Sequence, residues 1–250
     1  MTLPRYPVVI IPARMNATRL PGKPLADIHG EPMIVHCWRR AMSADIGPVI
    51  VACGDKRIAD AVEQAGGRAV LTDPGHPSGT DRVHEALEII DPTAHHDAVI
   101  NLQGDLPTIE TAAVLASFTP LLQSDVDVGT IVCRIEDEEE CVDPNVVKAA
   151  ISIKSGAHIG RALYFSRSLV PSGEGDHYRH IGIYAYRRTA ISLFVRRPPG
   201  QLEIREGLEQ LRALETGMRI DASLVNTVPL GVDTQADLDK ARAIIGENTT

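Results

Sequence analysis

The stretch Pro7-Val8-Val9-Ile10-Ile11-Pro12-Ala13-Arg14 decides how the fold of this chain begins. Its β-branched centre, residues 8–11, predicts a buried strand. The loop that follows carries the cations Arg14, Arg19 and Lys23 and a Pro-Gly turn. Ligands of open α/β sheets bind beyond the carboxyl ends of the strands, so three cations at this place favour an anionic ligand, most simply a polyphosphate. A nucleotide site after the first strand is therefore the first hypothesis.

Strand-like and helix-like segments alternate through the first half of the chain. Apolar runs predict strands at residues 8–11, 49–52, 69–71 and 98–102, and amphipathic runs predict helices at residues 33–42, 56–65, 80–90 and 110–123. Asp55 is well placed to cap the second of these helices. Repeated βα units of this kind predict an α/β fold with a mostly parallel sheet that helices cover on both faces.

The second half of the chain has more strand-like runs and fewer helices between them. Strands are predicted at residues 129–134, 146–153, 162–165, 181–186 and 220–225, and helices at residues 203–215 and 235–245. We therefore predict one domain, residues 1–250, with a core of about residues 1–125 and 200–250 and a mixed lobe of about residues 126–199.

Composition and charge exclude several classes of protein. The chain has 250 residues, is 44% hydrophobic and carries a net charge of −8, which argues against sequence-independent nucleic-acid binding because such binding needs a basic face. Nowhere do about 18 apolar residues follow one another, and no secretory leader is expected. The four cysteines form no CxxC pair, so neither a disulfide framework nor a zinc knuckle is predicted. We expect a reduced, cytoplasmic protein.

Two carboxylates follow predicted strands. Asp105 closes the segment Asn101-Leu102-Gln103-Gly104-Asp105, and Asp233 lies in Gly231-Val232-Asp233-Thr234. Thr234 and Asp237 make a reasonable capping box for the last helix, which leaves Asp233 free for another role. Magnesium in proteins favours one or two carboxylates together with substrate phosphates, so this pair is a candidate site for it. The alternative for Asp105 is that it caps the next helix.

The segment Ser78-Gly79-Thr80-Asp81-Arg82 leads into a predicted helix. Its small residues would allow a nucleotide base to approach the backbone closely, and Arg82 could donate hydrogen bonds to base carbonyls. As a bare pattern it is equally well explained by Ser78 or Thr80 capping the helix. The loop after the first strand matches neither the P-loop pattern nor GxGxxG, and this absence makes a dinucleotide-dependent oxidoreductase the weakest alternative.

Taken together and in this order, these groups resemble the cytidylyltransferases that activate 3-deoxy-manno-octulosonate (Kdo), the acidic sugar of lipopolysaccharide. The resemblance extends over about residues 7–245. The matching segments are Ile11-Pro-Ala-Arg14, Thr18-Arg-Leu-Pro-Gly-Lys-Pro-Leu25, Pro32-Met-Ile-Val-His36, Ser78-Gly-Thr-Asp-Arg82, Gln103-Gly-Asp105, Pro144-Asn-Val-Val-Lys148, Ala162-Leu-Tyr-Phe-Ser-Arg167, Arg179-His-Ile-Gly-Ile-Tyr184, Leu208-Glu-Gln-Leu-Arg212 and Gly231-Val-Asp-Thr234.

The resemblance implies a magnesium-dependent reaction in which CTP and Kdo give CMP-Kdo and pyrophosphate. It also implies a Rossmann-like nucleotidyltransferase fold and a homodimer formed through the second-half lobe, which would take part in sugar binding. The implied roles are catalysis for Arg14, Lys23, Asp105 and Asp233; CTP binding for Arg14, Lys23, Ser78, Arg82 and Asp105; magnesium binding for Asp105 and Asp233; and sugar binding for Gln103, Arg167, His180, Tyr184, Glu209 and Gln210.

The sequence leaves three alternatives open. An 8-amino analogue of Kdo would use nearly the same pocket, and another acidic sugar such as a sialic acid would need a related one. A CTP-binding protein that has lost catalysis is the third, although the presence of Asp105, Asp233 and Lys23 together speaks against it. His180 and Tyr184, four residues apart on one predicted strand, could also serve packing alone.

Overall fold

The computed structural model describes residues 3–16 and 19–247; Ala17 and Thr18, which belong to the segment after the first strand, lie outside the described residues. The chain packs as two compact units. The split unit contains residues 5–16, 19–115 and 229–247, and the middle unit contains residues 3–4 and 116–228. The middle unit therefore includes residues 116–125 and 200–228, which the sequence analysis placed in the core. That the whole chain is one domain stays a prediction.

The regular elements alternate along the chain. The strands are β1 (Pro7–Ala13), β2 (Asp27–Ile28), β3 (Glu31–Pro32), β4 (Val49–Cys53), β5 (Arg68–Leu71), β6 (Ala98–Asn101), β7 (Val128–Arg134), β8 (Lys148–Ser152), β9 (Ile159–Ser166), β10 (Tyr178–Arg187) and β11 (Ile220–Val225). The helices are α1 (Met33–Ser43), α2 (Lys56–Gln64), α3 (Gly79–Ile90), α4 (Thr111–Phe118), α5 (Glu138–Val142), α6 (Arg188–Val195), α7 (Gln201–Glu206), α8 (Leu211–Glu215) and α9 (Gln235–Glu247), with 3₁₀ turns at Lys23–Leu25 and Thr119–Leu122.

The split unit contains the parallel sheet that the sequence predicts. Its strands run in the order β5-β4-β1-β6, and each neighbouring pair is parallel. Residues 8–13 of β1 are buried, and Ile10 pairs with Ile50 of β4 on one side and with Asn101 of β6 on the other. A continuous apolar strand suits a sheet buried on both faces. The apolar sequence of β1 therefore accounts for its position inside the sheet, between β4 and β6.

The loop after β6 passes close to the last residues of β1 at the carboxyl end of this sheet. A Cβ atom at Gly104 would lie 2.8 Å from the carbonyl oxygen of Pro12, a distance that real Cβ atoms essentially never show. Glycine at position 104 therefore permits this approach. Because β1 and β6 are adjacent and parallel, their loops bring Lys23 and Asp105 to the same edge.

The last segment of the chain returns to the split unit and packs against α1. Val232, Leu238 and Ala241 are buried in one apolar cluster with Met33 and Cys37. The backbone N–H of Val232 donates to the carbonyl oxygen of Asp105 at 2.9 Å. The apolar face of α9 thus fixes the neighbouring Asp233 beside the loop after β6. The predicted capping box is confirmed, since Asp237 and Thr234 exchange side-chain-to-backbone bonds at 2.9 and 3.3 Å.

The middle unit contains a mixed sheet, as the sequence predicts for the second half. The order is β10-β7-β11-β9-β8, with β7 and β11 parallel and the other neighbours antiparallel. The pairing of β10 with β7 shifts register between Ile181 and Tyr184, which indicates a β-bulge. The predicted sugar-binding residues His180 and Tyr184 flank this bulge.

The helices of the second half differ from the prediction in two respects. The predicted helix at residues 203–215 is two helices, α7 and α8, because Gly207 adopts a left-handed conformation with φ 65° that ends α7. Helix α6 was not predicted. Asp55 does cap α2, accepting the backbone N–H of Arg57 at 2.9 Å. Within residues 3–16 and 19–247, no helix has both the length and the apolar character required to cross a bilayer.

Candidate active site

A pocket of about 430 Å³ opens at the carboxyl edge of the parallel sheet in the split unit. Its walls come from the loops after β1 and β6, the start of α3 and the segment before α9. Side chains of both charges line it, so it suits a polyanion accompanied by cations. The lining residues are Pro12, Ala13, Arg14, Asn16, Arg19, Lys23, Pro24, His76, Ser78, Gly79, Arg82, Gln103, Gly104, Asp105 and Asp233.

The centre of this pocket is an ammonium group held between two carboxylates. Lys23 Nζ lies 2.8 Å from Asp105 Oδ2 and 3.0 Å from Asp233 Oδ1. Arg19 Nη2 lies 2.9 Å from the other oxygen of Asp233. Burial opposes the charge on Lys23, but the two carboxylates outweigh it and raise the pKa of the lysine. Lys23 therefore stays protonated and bridges the two acids.

The backbone around Lys23 is shaped to present its side chain. Gly22 has φ 71°, a conformation that favours glycine, and it precedes the 3₁₀ turn at Lys23–Leu25. The N–H of Lys23 donates to the carbonyl oxygen of Leu20 at 3.1 Å, and Leu20 packs against the apolar cluster of α1 and α9. The turn is thus anchored by the same cluster that fixes Asp233.

Arg14 is exposed at the end of β1 and lines the pocket. Among residues 3–16 and 19–247 it has no hydrogen-bond or ion-pair partner, so its charge is available to an incoming anion. Of the three cations that the sequence places after β1, two therefore pair with carboxylates and one does not. All three lie at the same pocket, as predicted.

Ser78 and Arg82 occupy the wall formed by α3. Ser78 is the N-cap of α3, accepting the N–H of Asp81 at 3.2 Å and donating its hydroxyl to the Asp81 carboxylate at 2.7 Å. The capping alternative is therefore confirmed, and Ser78 still lines the pocket. Arg82 is buried and donates to Thr72 Oγ1 at 2.6 Å. Burial lowers the pKa of its guanidinium, because the charge is partly removed from water.

Gln103 belongs to the same pocket, although the resemblance groups it with the sugar-binding residues. Its amide nitrogen donates to Asn101 Oδ1 at 3.1 Å, and Asn101 donates in turn to Thr80 Oγ1 at 3.4 Å. This chain of side chains joins the end of β6 to the start of α3. The orientation of the Gln103 amide in the pocket is therefore set by its neighbours.

The other predicted sugar-binding residues lie in the middle unit. Arg167 is exposed directly after β9; its Nε donates to the carbonyl oxygen of Glu206 at 3.0 Å and its Nη1 to that of Pro144 at 2.9 Å. His180 lies beside Thr130, with Nε2 3.0 Å from the threonine hydroxyl oxygen, and its ring meets Phe165 edge-on. Burial lowers the pKa of His180 to about 3, so this imidazole is neutral at pH 7.

The rings of His180 and Tyr184 lie side by side near the bulge in β10. Here the two rings lie 5.4 Å apart, and the Tyr184 ring is 5.8 Å from that of Tyr186. Burial raises the pKa of Tyr184 well above its usual value, with a further contribution from the negative charge of Glu209. Tyr184, Glu209 and the buried Gln210 all belong to the middle unit.

Comparison with known proteins identifies the family. A model of the cytidylyltransferase family matches residues 8–220. A 3-deoxy-manno-octulosonate cytidylyltransferase of Paramagnetospirillum magneticum is 60% identical over 239 residues, which is 96% of this chain and 97% of that protein. The corresponding enzyme of Rhodospirillum centenum is 60% identical over 246 residues, 98% of this chain and 96% of that protein. The chain belongs to the 3-deoxy-manno-octulosonate cytidylyltransferase family.

Solved structures agree with this assignment and confirm the α/β nucleotidyltransferase fold. A structure of CMP:2-keto-3-deoxy-manno-octonic acid synthetase complexed with CTP is 37% identical with a TM-score of 0.90, covering 98% of this chain and 100% of that chain. A nucleotidyl transferase from Methanothermobacter, 14% identical with a TM-score of 0.63, covers 97% of this chain and 99% of its own and is similar in fold alone. The sequence resemblance to this cytidylyltransferase family is confirmed.

The carboxylates at the pocket centre fit the metal that the family implies. Within the part of the chain that the structure describes, no group of three or more His, Cys, Asp or Glu side chains could hold a metal ion. Asp105 and Asp233, however, both reach the single point occupied by Lys23 Nζ. Two carboxylate ligands supplemented by phosphate oxygens and water are a usual donor set for magnesium. The donor set is therefore suitable only together with a phosphate-bearing ligand.

The sequence analysis missed His76, a residue of the pocket wall. His76 lies in the pocket wall with Nε2 2.5 Å from a carboxylate oxygen of Glu85. The same oxygen accepts the backbone N–H of Asp73 at 2.9 Å. A single histidine in a loop carries no spacing signal, and its partner is on a helix nine residues later. Its position two residues before Ser78 was the one available indication.

Proposed function

We propose that this chain transfers CMP from CTP to the anomeric hydroxyl of Kdo, giving CMP-Kdo and pyrophosphate for lipopolysaccharide biosynthesis. The observation that carries the proposal is the pairing of Lys23 with Asp105 and Asp233 in a cation-rich pocket, in a chain that belongs to the Kdo cytidylyltransferase family. Polyphosphate and divalent cation can both be accommodated by such an arrangement.

The chemistry requires positioning and charge stabilisation more than a protein base. The sugar hydroxyl oxygen forms a bond to the α-phosphorus while the bond from that phosphorus to the pyrophosphate oxygen breaks. In-line geometry and fixed cations supply most of the rate enhancement in reactions of this type. Arg14 and Lys23 bind the triphosphate and stabilise the charge that develops on the departing pyrophosphate. Arg19, which lines the same pocket, supports them.

Asp105 and Asp233 would hold the magnesium ion. When bound, the metal neutralises phosphate charge and lowers the pKa of a coordinated hydroxyl. The Lys23 ammonium balances the two carboxylates. Triphosphate oxygens would offer Lys23 another anionic partner, and Asp105 and Asp233 would then be available to hold a divalent cation.

Recognition of CTP would rest on the wall formed by α3. Ser78 and Arg82 are proposed to contact the cytosine side, with the buried guanidinium donating to base or ribose oxygens. The Thr72 hydroxyl and the fixed start of α3 hold Arg82 in place. Gln103 remains a proposed sugar-binding residue at the same pocket.

Recognition of the sugar acid would rest on residues of the middle unit. Arg167 suits the substrate carboxylate, because a guanidinium forms two parallel hydrogen bonds with a carboxylate. Glu209 and Gln210 can accept from and donate to sugar hydroxyls, and neutral His180 and Tyr184 offer further polar contacts beside an aromatic wall. A homodimer, which the family resemblance implies, and a cytoplasmic location, which the cysteine pattern favours, are also part of this proposal.

The decisive experiment is release of pyrophosphate from CTP and Mg²⁺, with Kdo, its 8-amino analogue and a nine-carbon sialic acid in separate reactions. We expect release with Kdo, none with the sialic acid, and loss of release when a chelator removes the metal. Release with the 8-amino analogue alone would show that the chain transfers CMP but that its substrate is the analogue and not Kdo. Binding of CTP without release for any sugar acid would favour the non-catalytic alternative.

A further inference from the structure

Arg167 is held by main-chain atoms, so its charge is not cancelled by a neighbouring carboxylate. Its guanidinium donates to two carbonyl oxygens, those of Glu206 and Pro144. Within residues 3–16 and 19–247, it forms no ion pair with an acidic side chain. A guanidinium has five N–H groups, so several remain for a ligand. Arg167 is therefore oriented but not neutralised, which is the state needed to bind an anion.

The residue that orients Arg167 is Glu206, which holds it at two points. The carbonyl oxygen of Glu206 accepts from the guanidinium Nε, and its carboxylate oxygen Oε2 accepts the backbone N–H of Arg167 at 3.1 Å. The other carboxylate oxygen accepts from Ser166 Oγ at 2.9 Å and from the Tyr164 hydroxyl at 3.3 Å. The Glu206 carboxylate thus fixes the backbone of Arg167, and the main-chain carbonyl of the same residue holds the guanidinium.

The hydrogen bonds explain why Glu206 remains ionised although it is half-buried. Burial raises the pKa of its carboxyl group, but the bonds donated by the Arg167 N–H, Ser166 and Tyr164 outweigh that effect and lower the pKa overall. Because these donors occupy the carboxylate, it does not pair with the guanidinium. An ion pair between Glu206 and Arg167 would compete with any acidic substrate for the same charge.

The helix that carries Glu206 is itself held by two carboxylates, one of them buried. Glu203 forms a bidentate ion pair with Arg212, at 2.7 Å from Nε and 2.5 Å from Nη2, and both residues are buried. Glu215 accepts the backbone N–H groups of Leu202 and Glu203 at 3.1 and 3.3 Å. The turn between α7 and α8, which holds Glu209 and Gln210, therefore belongs to the same fixed frame as Glu206.

We propose that Glu206 is a positioning residue that presents the guanidinium of Arg167 to the carboxylate of the sugar-acid substrate. The inference rests on the proposed function, which gives Arg167 this ligand. Glu206 acts through Arg167 and does not itself touch the substrate. Its contribution is therefore specific to the acidic substrate, and the binding of CTP does not depend on it.

The test compares Glu206→Gln and Arg167→Ala, alone and combined, in the pyrophosphate-release assay. We expect Glu206→Gln to raise the KM for Kdo about tenfold, with the KM for CTP and the Tm close to those of the wild type. In the Arg167→Ala background, the same change should have no further effect on the KM for Kdo. Glu206→Ala, which removes all three carboxylate contacts, should raise this KM more. Tyr164→Phe, which removes the longest contact, serves as the matched control and should change it less than twofold.

Three results would overturn the inference. Equal rises in the KM for CTP and for Kdo, together with a lower Tm, would show a merely structural role for Glu206. Additive effects of the two substitutions would show that Glu206 does not act through Arg167. An unchanged KM for Kdo in Arg167→Ala would show that Arg167 does not bind the substrate carboxylate, while the proposed reaction would still stand. Absence of release by the wild-type chain with any sugar acid is a separate result, and it would contradict the proposed function itself.

Discussion

Lys23 Nζ lies 2.8 Å from a carboxylate oxygen of Asp105, although 82 residues separate the two in the chain. The pairing of β1 with β6 accounts for this contact, because the loops that follow adjacent parallel strands leave the sheet at the same edge. Asp233 joins them from the other end of the chain, 3.0 Å from the same nitrogen. The ion pairs here connect three segments that the sheet and helix α9 bring together.

Asp105→Asn should reduce turnover by about 100-fold or more while the fold is retained, because it removes a negative charge at the proposed metal site and almost no packing. The measurement is kcat for pyrophosphate release with CTP, Mg²⁺ and Kdo, together with the thermal unfolding curve. Asp239→Asn, at an exposed ion pair on α9, is the matched control and should keep wild-type turnover. Near-normal turnover of Asp105→Asn would show that Asp105 does not belong to the metal site.

Lys23→Ala should weaken CTP binding more than sugar binding. The substitution removes a cation that is only 15% exposed and leaves two carboxylates facing each other without a counter-ion. We expect the KM for CTP to rise about tenfold or more and the KM for Kdo to change much less. Lys240→Ala, on the exposed face of α9, supplies the control for loss of a lysine. Equal rises in both KM values would contradict the role assigned to Lys23.

The sequence predicts those parts of the site that depend on local pattern. The apolar run before Arg14 and the run before Asn101 both end at the sheet edge, so the positions of Lys23 and Asp105 follow from the order of βα units. That Asp233 lies beside Asp105 was only a hypothesis, based on their positions after two separate predicted strands. The packing of α9 on α1, which brings the two carboxylates together, is not visible in the local pattern.

Contacts between distant segments were not predictable in the same way. Glu206 and Arg167 are 39 residues apart and meet through the return of α7 to the end of β9. The bulge between Ile181 and Tyr184 depends on how β10 pairs with β7 and has no signal in the periodicity of β10 itself. Gly207, by contrast, was a visible helix terminator inside the run taken as one helix.

His180 should make stability depend on pH. Burial holds the pKa of the folded imidazole near 3, whereas an unfolded histidine titrates near 6.5. Below pH 6.5 the unfolded chain therefore binds an additional proton, and stability falls with pH until the folded pKa is reached. His180→Gln lacks this titrating group. From pH 7.5 to pH 5.5, the free energy of unfolding of the wild type should therefore fall by about 1.4 kcal/mol more than that of the variant.

Denaturant unfolding of both chains at the two pH values measures this difference. Thr130→Val removes the hydroxyl beside His180 and keeps the ring buried, so it should retain the pH dependence of the wild type. An identical pH dependence in His180→Gln and the wild type would contradict the expected shift at His180.

Gly104→Ala should destabilise the split unit and disturb the site together. The added methyl group would meet the carbonyl oxygen of Pro12 at 2.8 Å, so the loop bearing Gln103 and Asp105 has to move away from the end of β1. We expect a loss of about 1–3 kcal/mol in the free energy of unfolding and a higher KM for CTP. Gly231→Ala, where the nearest atom to the new Cβ is 3.9 Å away, is the matched control close to Asp233 and should change neither quantity appreciably. Wild-type stability in Gly104→Ala would show that the close approach of this loop to β1 is not required, and the position of Asp105 would then need another explanation.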